Sequence, residues 1–452
     1  MKCIYQLMAT GLFLVTACGS FALHAGEPKT ARDPVNATDK PGAVALNAAD
    51  IYRQAFSALP VLTGKQQKLF DEAKSLEAPL SAELAEIIPQ FEVALDHLHR
   101  ARAVSDCDWK LKEEDGPRVE ILHYNIARDL TRAALLRARM RFADGGTDAA
   151  ISDVLDVYKL VRDCARQISL FLFVFLTQNE YEATEVLAAH LPLLKPDQLD
   201  QLLQEVRQLP PMSDAATCLE YERRIHCDWY DSLFDQLTAK RGDAQKANGL
   251  VLKFLNTNTF IYGFPTYYVH GNDDKKNEAE NIRKVKLLNS LTDAEVRQSL
   301  QQLRDDYTTW GLIAKLPFSK QSVRAKKFAE SLEESKKLAA RKDAFHCFTV
   351  CAGNNDHRLH LLRLERFQTH QSLLEQAIHL QRHGTDTVDP VRDHKVDYKK
   401  TANGFELRCL ITDENWIIVN GTVTITNDKA ILANGNAVLF DGTAILVVGR
   451  RS

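Results

Sequence analysis

The sequence predicts a mainly α-helical fold, an irregular bundle of antiparallel helical hairpins with a small C-terminal antiparallel β-meander. From Asn47 to about His383, apolar residues recur at three- and four-residue intervals, which places them on one face of a helix. After Gly384 the composition changes to short β-branched runs separated by Asn420-Gly421, Asn434-Gly435 and Asp441-Gly442. Such pairs reach the positive φ that tight hairpins need.

The elements follow in order. Asn47 accepts from first-turn amides and Asp50 sits near the positive end of a helix whose inner face is Ile51, Ala55 and Leu59, closed by Pro60. Ser81 caps a long second helix through Phe91, Leu95 and Leu98. A third starts after Gly116-Pro117 and carries Leu122, Ile126, Leu130 and Ala133, until Asp144-Gly145-Gly146 stops it. Thr147 opens the next, with Ile151, Val154, Leu155 and Tyr158 inward; the short turn makes the two helices antiparallel neighbours. Helices are expected from Ile168 to Leu191, Pro196 to Leu209 and Asp214 to about Ala239, and after the capping box Thr292–Glu295. Ser319–Arg341 reads as a solvated Lys/Glu-rich helix, and a last long helix runs from about Asn355 to His383. Strands are expected at Lys395–Tyr398, Gly404–Leu410, Trp416–Val419, Thr422–Thr426, Ala430–Ala433, Ala437–Phe440 and Thr443–Val448. The helical region spans 47–384, with a possible subdomain break near 210 or 243–290, and the β-rich tail spans 385–452.

Residues 1–17 read as an export signal. Lys2 forms a basic start, followed by an apolar run from Ile4 to Val15, too short for a permanent span of about 20 residues. Val15-Thr16-Ala17-Cys18 resembles the bacterial lipobox, which implies a lipidated Cys18 and a membrane-tethered protein in the periplasm or on the outer surface. Leu23-His24-Ala25 is a rival cleavage site that would leave a freely secreted chain. Residues 18–46, rich in Pro, Asp, Lys, Thr and Ala, read as a disordered tether. A net charge of −3 with no basic arm points away from nucleic acid. The most apolar later run, Ile168–Leu176, is half the length of a span and reads as a core helix.

Of nine cysteines, Cys3 leaves with the signal and Cys18 takes the lipid. Cys107, Cys164, Cys218, Cys227, Cys347, Cys351 and Cys409 remain, an odd set in a compartment where disulfides form. Pairing of Cys107 with Cys227, of either with Cys164 or Cys218, and of Cys218 with Cys227 all stay open.

Several segments together resemble an uncharacterised family of secreted helical proteins of planctomycete-like bacteria. These are Asn47–Tyr52 with Ala55-Phe56, Cys107-Asp108-Trp109, Leu135–Arg139, and Leu359–His383 followed by Asp389-Pro390 and Gly404–Leu407. The resemblance implies a predominantly helical exported protein with no assigned activity. The passage from the last helix through Asp389-Pro390 to Tyr398 and Gly404-Phe405 is also similar to the globular end of type II secretion pseudopilins. The methylation signal and hydrophobic stem helix of that family are absent from this sequence.

Three groups of residues could carry chemistry. Cys347, Cys351, His357 and His360, with His346 adjacent, supply the two thiolates and two imidazoles of a tetrahedral zinc site, although the spacing matches no standard finger. No cofactor is expected: the simpler reading is a Cys347–Cys351 disulfide or two thiols, with the histidines on a helix surface. Cys107-Asp108-Trp109 recurs as Cys227-Asp228-Trp229, most simply structural cysteines beside core tryptophans. Phe260, Tyr262, Phe264, Tyr267 and Tyr268, leading to His270, form an aromatic segment suited to a pocket or a protein partner, since rigid aromatics supply contact area at low entropy cost. Nucleophile elbows, His-Glu-x-x-His and phosphate loops are absent, and helix surfaces account for the carboxylates. The expected function is a non-enzymatic envelope lipoprotein, acting as a helical scaffold or partner-binding module. The alternative is an envelope hydrolase or metal-dependent enzyme using the Cys347–His360 region or a pocket near Tyr262–His270.

Overall fold

The structure is a computed structural model that describes residues 46–73, 78–119, 123–167, 170–239, 260–261, 264–265, 292–340, 357–384, 389–390, 392, 394–401, 404–411, 415–419, 422–426, 437–440 and 443–448. The expected export signal 1–17, Cys18, the expected tether and the expected strand Ala430–Ala433 lie outside them. Helices dominate, and the buried apolar residues form one cluster that runs from Ala48 to Ile411.

Helix α1 (Ala48–Ser57) begins at its expected cap: Asn47 Oδ1 accepts from Ala49 N at 3.1 Å. The same side chain donates to Asp108 O at 2.8 Å and accepts from Asp108 N at 2.9 Å, so the cap also pins a distant loop. Helix α2 (Gly64–Glu72) was not foreseen. Thr63 and Gln66 close a full capping box, but Phe70 is its one buried residue, too little to show a helical period. The long helix expected after Ser81 is divided into α3 (Ala82–Ile87), a 3-10 turn (Ile88–Phe91) and α4 (Glu92–Arg102). Pro89 sits at the start of that turn and has no N–H for an α-helical bond.

Helices α5 (His123–Ala143) and α6 (Thr147–Cys164) form the expected hairpin, turned at Gly145 with φ +80°. Leu130 and Ala133 are buried, whereas Ile126 faces outward. Helix α7 (Leu170–His190) buries Leu170, Phe173 and Leu176. No helix among the described residues is long and apolar enough to cross a membrane. Helices α8 (Pro196–Gln208) and α9 (Ala215–Ala239) follow, then α10 (Asp293–Ala314), which starts at the Thr292–Glu295 capping box and packs along α9. Helix α11 (Phe318–Ala340) buries Ala325, Ala329 and Leu332, so one of its faces belongs to the core. Helix α12 (Arg358–His383) ends at Gly384, whose φ of +65° lets its N–H reach Leu380 O at 2.8 Å.

Strands β1 (Phe260–Ile261) and β2 (Phe264–Pro265) form a short antiparallel ladder beside the 3-10 turn Glu113–Arg118. The tail holds β3 (Val396–Thr401), β4 (Gly404–Leu410), β5 (Asn415–Val419), β6 (Thr422–Thr426), β7 (Ala437–Phe440) and β8 (Thr443–Val448). They pair antiparallel as two sheets, β3-β4-β8 and β6-β5-β7. Phe405, Leu407 and Cys409 of the central β4 alternate inward, and the first sheet packs on α7 and α12. The three turn pairs lie outside the described residues. Asn420-Gly421 lies between the paired β5 and β6, whereas β7 and β8, on either side of Asp441-Gly442, belong to different sheets.

Candidate functional site

Helix α6 is enclosed by α4, α5 and α7, yet it buries five charged residues. Asp153, Asp156, Lys159, Arg162 and Asp163 are all buried. Helix surfaces therefore do not account for these carboxylates, contrary to expectation. A buried charge is strongly disfavoured unless paired and hydrogen-bonded, and each of these is. Arg137 grips Asp153 through Nε (3.2 Å) and Nη2 (2.7 Å), while Arg141 Nη1 approaches both Asp153 oxygens at 2.9 Å. Arg137 Nη1 also donates to Glu92 Oε2 at 2.5 Å. Arg102 Nε lies 3.1 Å from Asp156 Oδ1, and His99 Nδ1 lies 3.0 Å from Oδ2.

One turn further, Asp163 takes Lys159 Nζ, the Tyr52 hydroxyl at 2.9 Å and Arg166 Nη2 at 3.2 Å. Its backbone carbonyl accepts from Trp109 Nε1 at 3.0 Å. Arg162 reaches α7, donating from Nε (3.2 Å) and Nη2 (2.9 Å) to Glu180 Oε1. Burial pushes Asp156 up to about 6 against the pull of Arg102 and His99. Asp153, Asp163 and Glu180 are also raised by burial, opposed in each case by their cationic partners. Salt bridges thus radiate from α6 to α4, α5 and α7.

A second cluster lies between α9, α10 and α12. His226 Nδ1 is 2.7 Å from the Tyr307 hydroxyl, and the His357 ring meets Trp310 edge-on with centroids 5.4 Å apart. The rings of His357 and His360 are 6.0 Å apart, and His357 and Tyr307 are 6.1 Å apart. His357 is buried and His360 half-buried, which overturns the expectation of surface histidines. The helix cap at His357 turns its ring into the α9–α10 junction. Burial, helped by the nearby His357, lowers His226 to about 4. Burial also holds His360 well below the usual histidine range, with His357 and Arg363 adding to the shift.

Cys347, Cys351 and His346 lie outside the described residues, so the proposed zinc set is not assembled here. Among the described residues, no group of three or more His, Cys, Asp or Glu is placed to hold a metal. Of the aromatic segment, the backbones of Phe260 and Phe264 are described in β1 and β2, whereas Tyr262, Tyr267, Tyr268 and His270 lie outside.

The repeated Cys-Asp-Trp motifs have separate structural settings. Trp109 stacks on Tyr52 and Phe56 at 5.8 and 6.2 Å, and Trp229 covers Gly116. Cys107, Cys164, Cys218, Cys227 and Cys409 are all buried, unpaired thiols, so none of the disulfides open among the first four forms. Burial pushes Cys107 and Cys227 up to about 12 and Cys409 to about 11.

The sequence showed the apolar period but not the buried charges of α6. Asp153, Asp156, Lys159, Arg162 and Asp163 share one half of the helix, opposite Ile151, Val154 and Val161, and so read as an ordinary solvated face. Comparison with protein-family models, with curated proteins and with solved structures found no match for this chain.

Proposed function

We propose that this chain is a non-catalytic cell-envelope protein, a helical scaffold that holds a protein partner and is tethered through a lipidated Cys18. The observation that carries the scaffold reading is the pairing of the α6 charges. Arg137–Asp153–Arg141, Arg102–Asp156–His99, Lys159–Asp163–Arg166 and Arg162–Glu180 direct their charge at one another across helix boundaries. Such pairs favour one helix register over others, because any slip leaves charges buried and alone. The lipobox ending at Cys18 supports the tether. The aromatic segment Phe260–His270 supports a protein contact, and its β1–β2 ladder lies beside the scaffold turn Glu113–Arg118.

A photoreactive residue at position 262, used in cells producing the full chain, tests this reading. One discrete adduct in the membrane fraction is expected, moving to the soluble fraction in Cys18→Ser. Absence of an adduct from a stably produced, membrane-associated chain contradicts the partner. Unchanged fractionation of Cys18→Ser contradicts the tether.

A further inference from the structure

A cleft of about 410 Å³ opens where α6, α7, α8 and α12 meet the segment 209–212. That volume is within the range of small-molecule sites. Tyr158, Val206, Leu209, Met212 and Leu374 give it apolar walls. Its polar floor is the Arg162–Glu180 pair, and its edge carries Arg207 and Glu375, paired at 3.1 Å.

Glu180 is fully buried, and its two oxygens are treated unequally. Oε1 accepts from Arg162 Nε, Arg162 Nη2 and Gln371 Nε2. Oε2 is buried and accepts no hydrogen bond among the described residues. A carboxylate oxygen out of water without a donor costs the full desolvation of that group. Arg162 Nη1 turns away from it, donating to Pro210 O at 3.1 Å. Tyr158 is committed to Thr184 at 2.8 Å, where the Thr184 hydroxyl itself donates to Glu180 O.

We propose that this cleft binds a neutral, mainly apolar molecule through one hydroxyl that donates to Glu180 Oε2. Charge selects against the alternatives. A cation entering the cleft meets the Arg162 and Arg207 guanidiniums, and an anion meets Glu180 and Glu375, so the two pairs leave no net charge to answer a charged ligand. The apolar walls take the body of the molecule, and the orphaned acceptor takes its single donor. This inference goes beyond the scaffold reading and depends on neither the partner nor the tether.

The full chain, labelled with ¹³C at its methionine methyl groups, tests it with two probes that differ by one methyl group. 4-Ethylphenol carries the donor, and 4-ethylanisole has it methylated. 4-Ethylphenol should shift the Met212 resonance and leave Met140 in place, and 4-ethylanisole should bind about tenfold more weakly, as expected for loss of a hydrogen bond to a charged group. In Glu180→Gln, Arg162 and Gln371 hold the amide oxygen, so the amide nitrogen takes the place of Oε2 and the preference for the phenol disappears. Met212→Trp fills the cleft while leaving Glu180 in the chain and should abolish binding of 4-ethylphenol, which keeps the test valid if Glu180→Gln does not fold. Equal affinity of the wild type for both probes overturns the proposal. So does a Met212 resonance indifferent to 4-ethylphenol, or undiminished binding in Met212→Trp.

Discussion

The Tyr52 hydroxyl donates to Asp163 Oδ2 at 2.9 Å, joining the first described helix to the buried helix α6 across 111 positions of sequence. Tyr52 also stacks on Trp109, whose indole N–H donates to the Asp163 carbonyl, so two aromatic residues converge on one acid. Tyr52→Phe should lower unfolding stability by about 1–3 kcal/mol, since the donor is lost while the acceptor stays buried. Asp163→Ala should cost about 3–5 kcal/mol, because Lys159 is then buried without its partner. Urea denaturation measures both, and equal losses would remove Lys159 from the account.

Gly116 is held at φ +61°, with the Trp229 ring where a β-carbon would stand. Gly116→Ala combines backbone strain with a steric overlap and should cost about 2 kcal/mol or more. Thermal unfolding reads this directly. A melting temperature equal to wild type would mean that Trp229 does not cover this turn.

Protonation acts on the fold in two opposing directions. An unfolded histidine binds its proton near about 6.5, whereas native His226 does so at about 4. Stability from this group therefore falls as pH drops through that window, because the unfolded chain takes the proton first. Native Asp156 binds its proton at about 6 against 3.8 for an ordinary aspartate, so its contribution rises as pH falls through its own window. His226→Gln removes only the first effect. Relative to wild type, the variant should gain stability between about pH 6.5 and pH 4.5, and a difference independent of pH would contradict the assignment.

Thiol reactivity follows the thiolate fraction. With Cys107 and Cys227 raised from 9.0 to about 12, native alkylation by iodoacetamide at about pH 8 should be about a thousandfold slower than for an ordinary thiol. Cys409, at about 11, should be about a hundredfold slower. Mass spectrometry of native and urea-unfolded samples separates the cases. Rapid native labelling of Cys107 or Cys227 would contradict their burial.

Much of the architecture was legible in local signals. Thr292 and Glu295 close the capping box their spacing announces, Gly145 turns the α5–α6 hairpin, and β4 and β6 occupy their expected residues. Other features were not, for identifiable physical reasons. Helix α2 has one buried residue and so lacks an apolar stripe, although its Thr63–Gln66 cap was readable. Pro89 splits a continuous helical period that its neighbours maintain. The partners of Asp163 and Glu180 lie up to 191 positions away, and a period of 3.6 cannot show which distant arginine, tyrosine or glutamine will meet a buried carboxylate. His357 reads as a surface residue because its neighbours Trp310 and Tyr307 come from another helix. The sheet order was hidden for a similar reason: Asp441-Gly442 has the chemistry of a hairpin, but β8 pairs with β4.

The paired charges tie α6 to α4, α5 and α7 and make it the spine of the helical bundle. Elements that open for ligands or catalysis come from the least stable parts of a protein, whereas a spine opens only when the whole fold does. Amide hydrogen exchange across 153–163, measured in the full chain, tests this most directly. Exchange there is expected only through global unfolding, with an opening free energy equal to that of the whole protein. Exchange of 153–163 through local opening, at a lower free energy than α5 and α7 on either side, would contradict it.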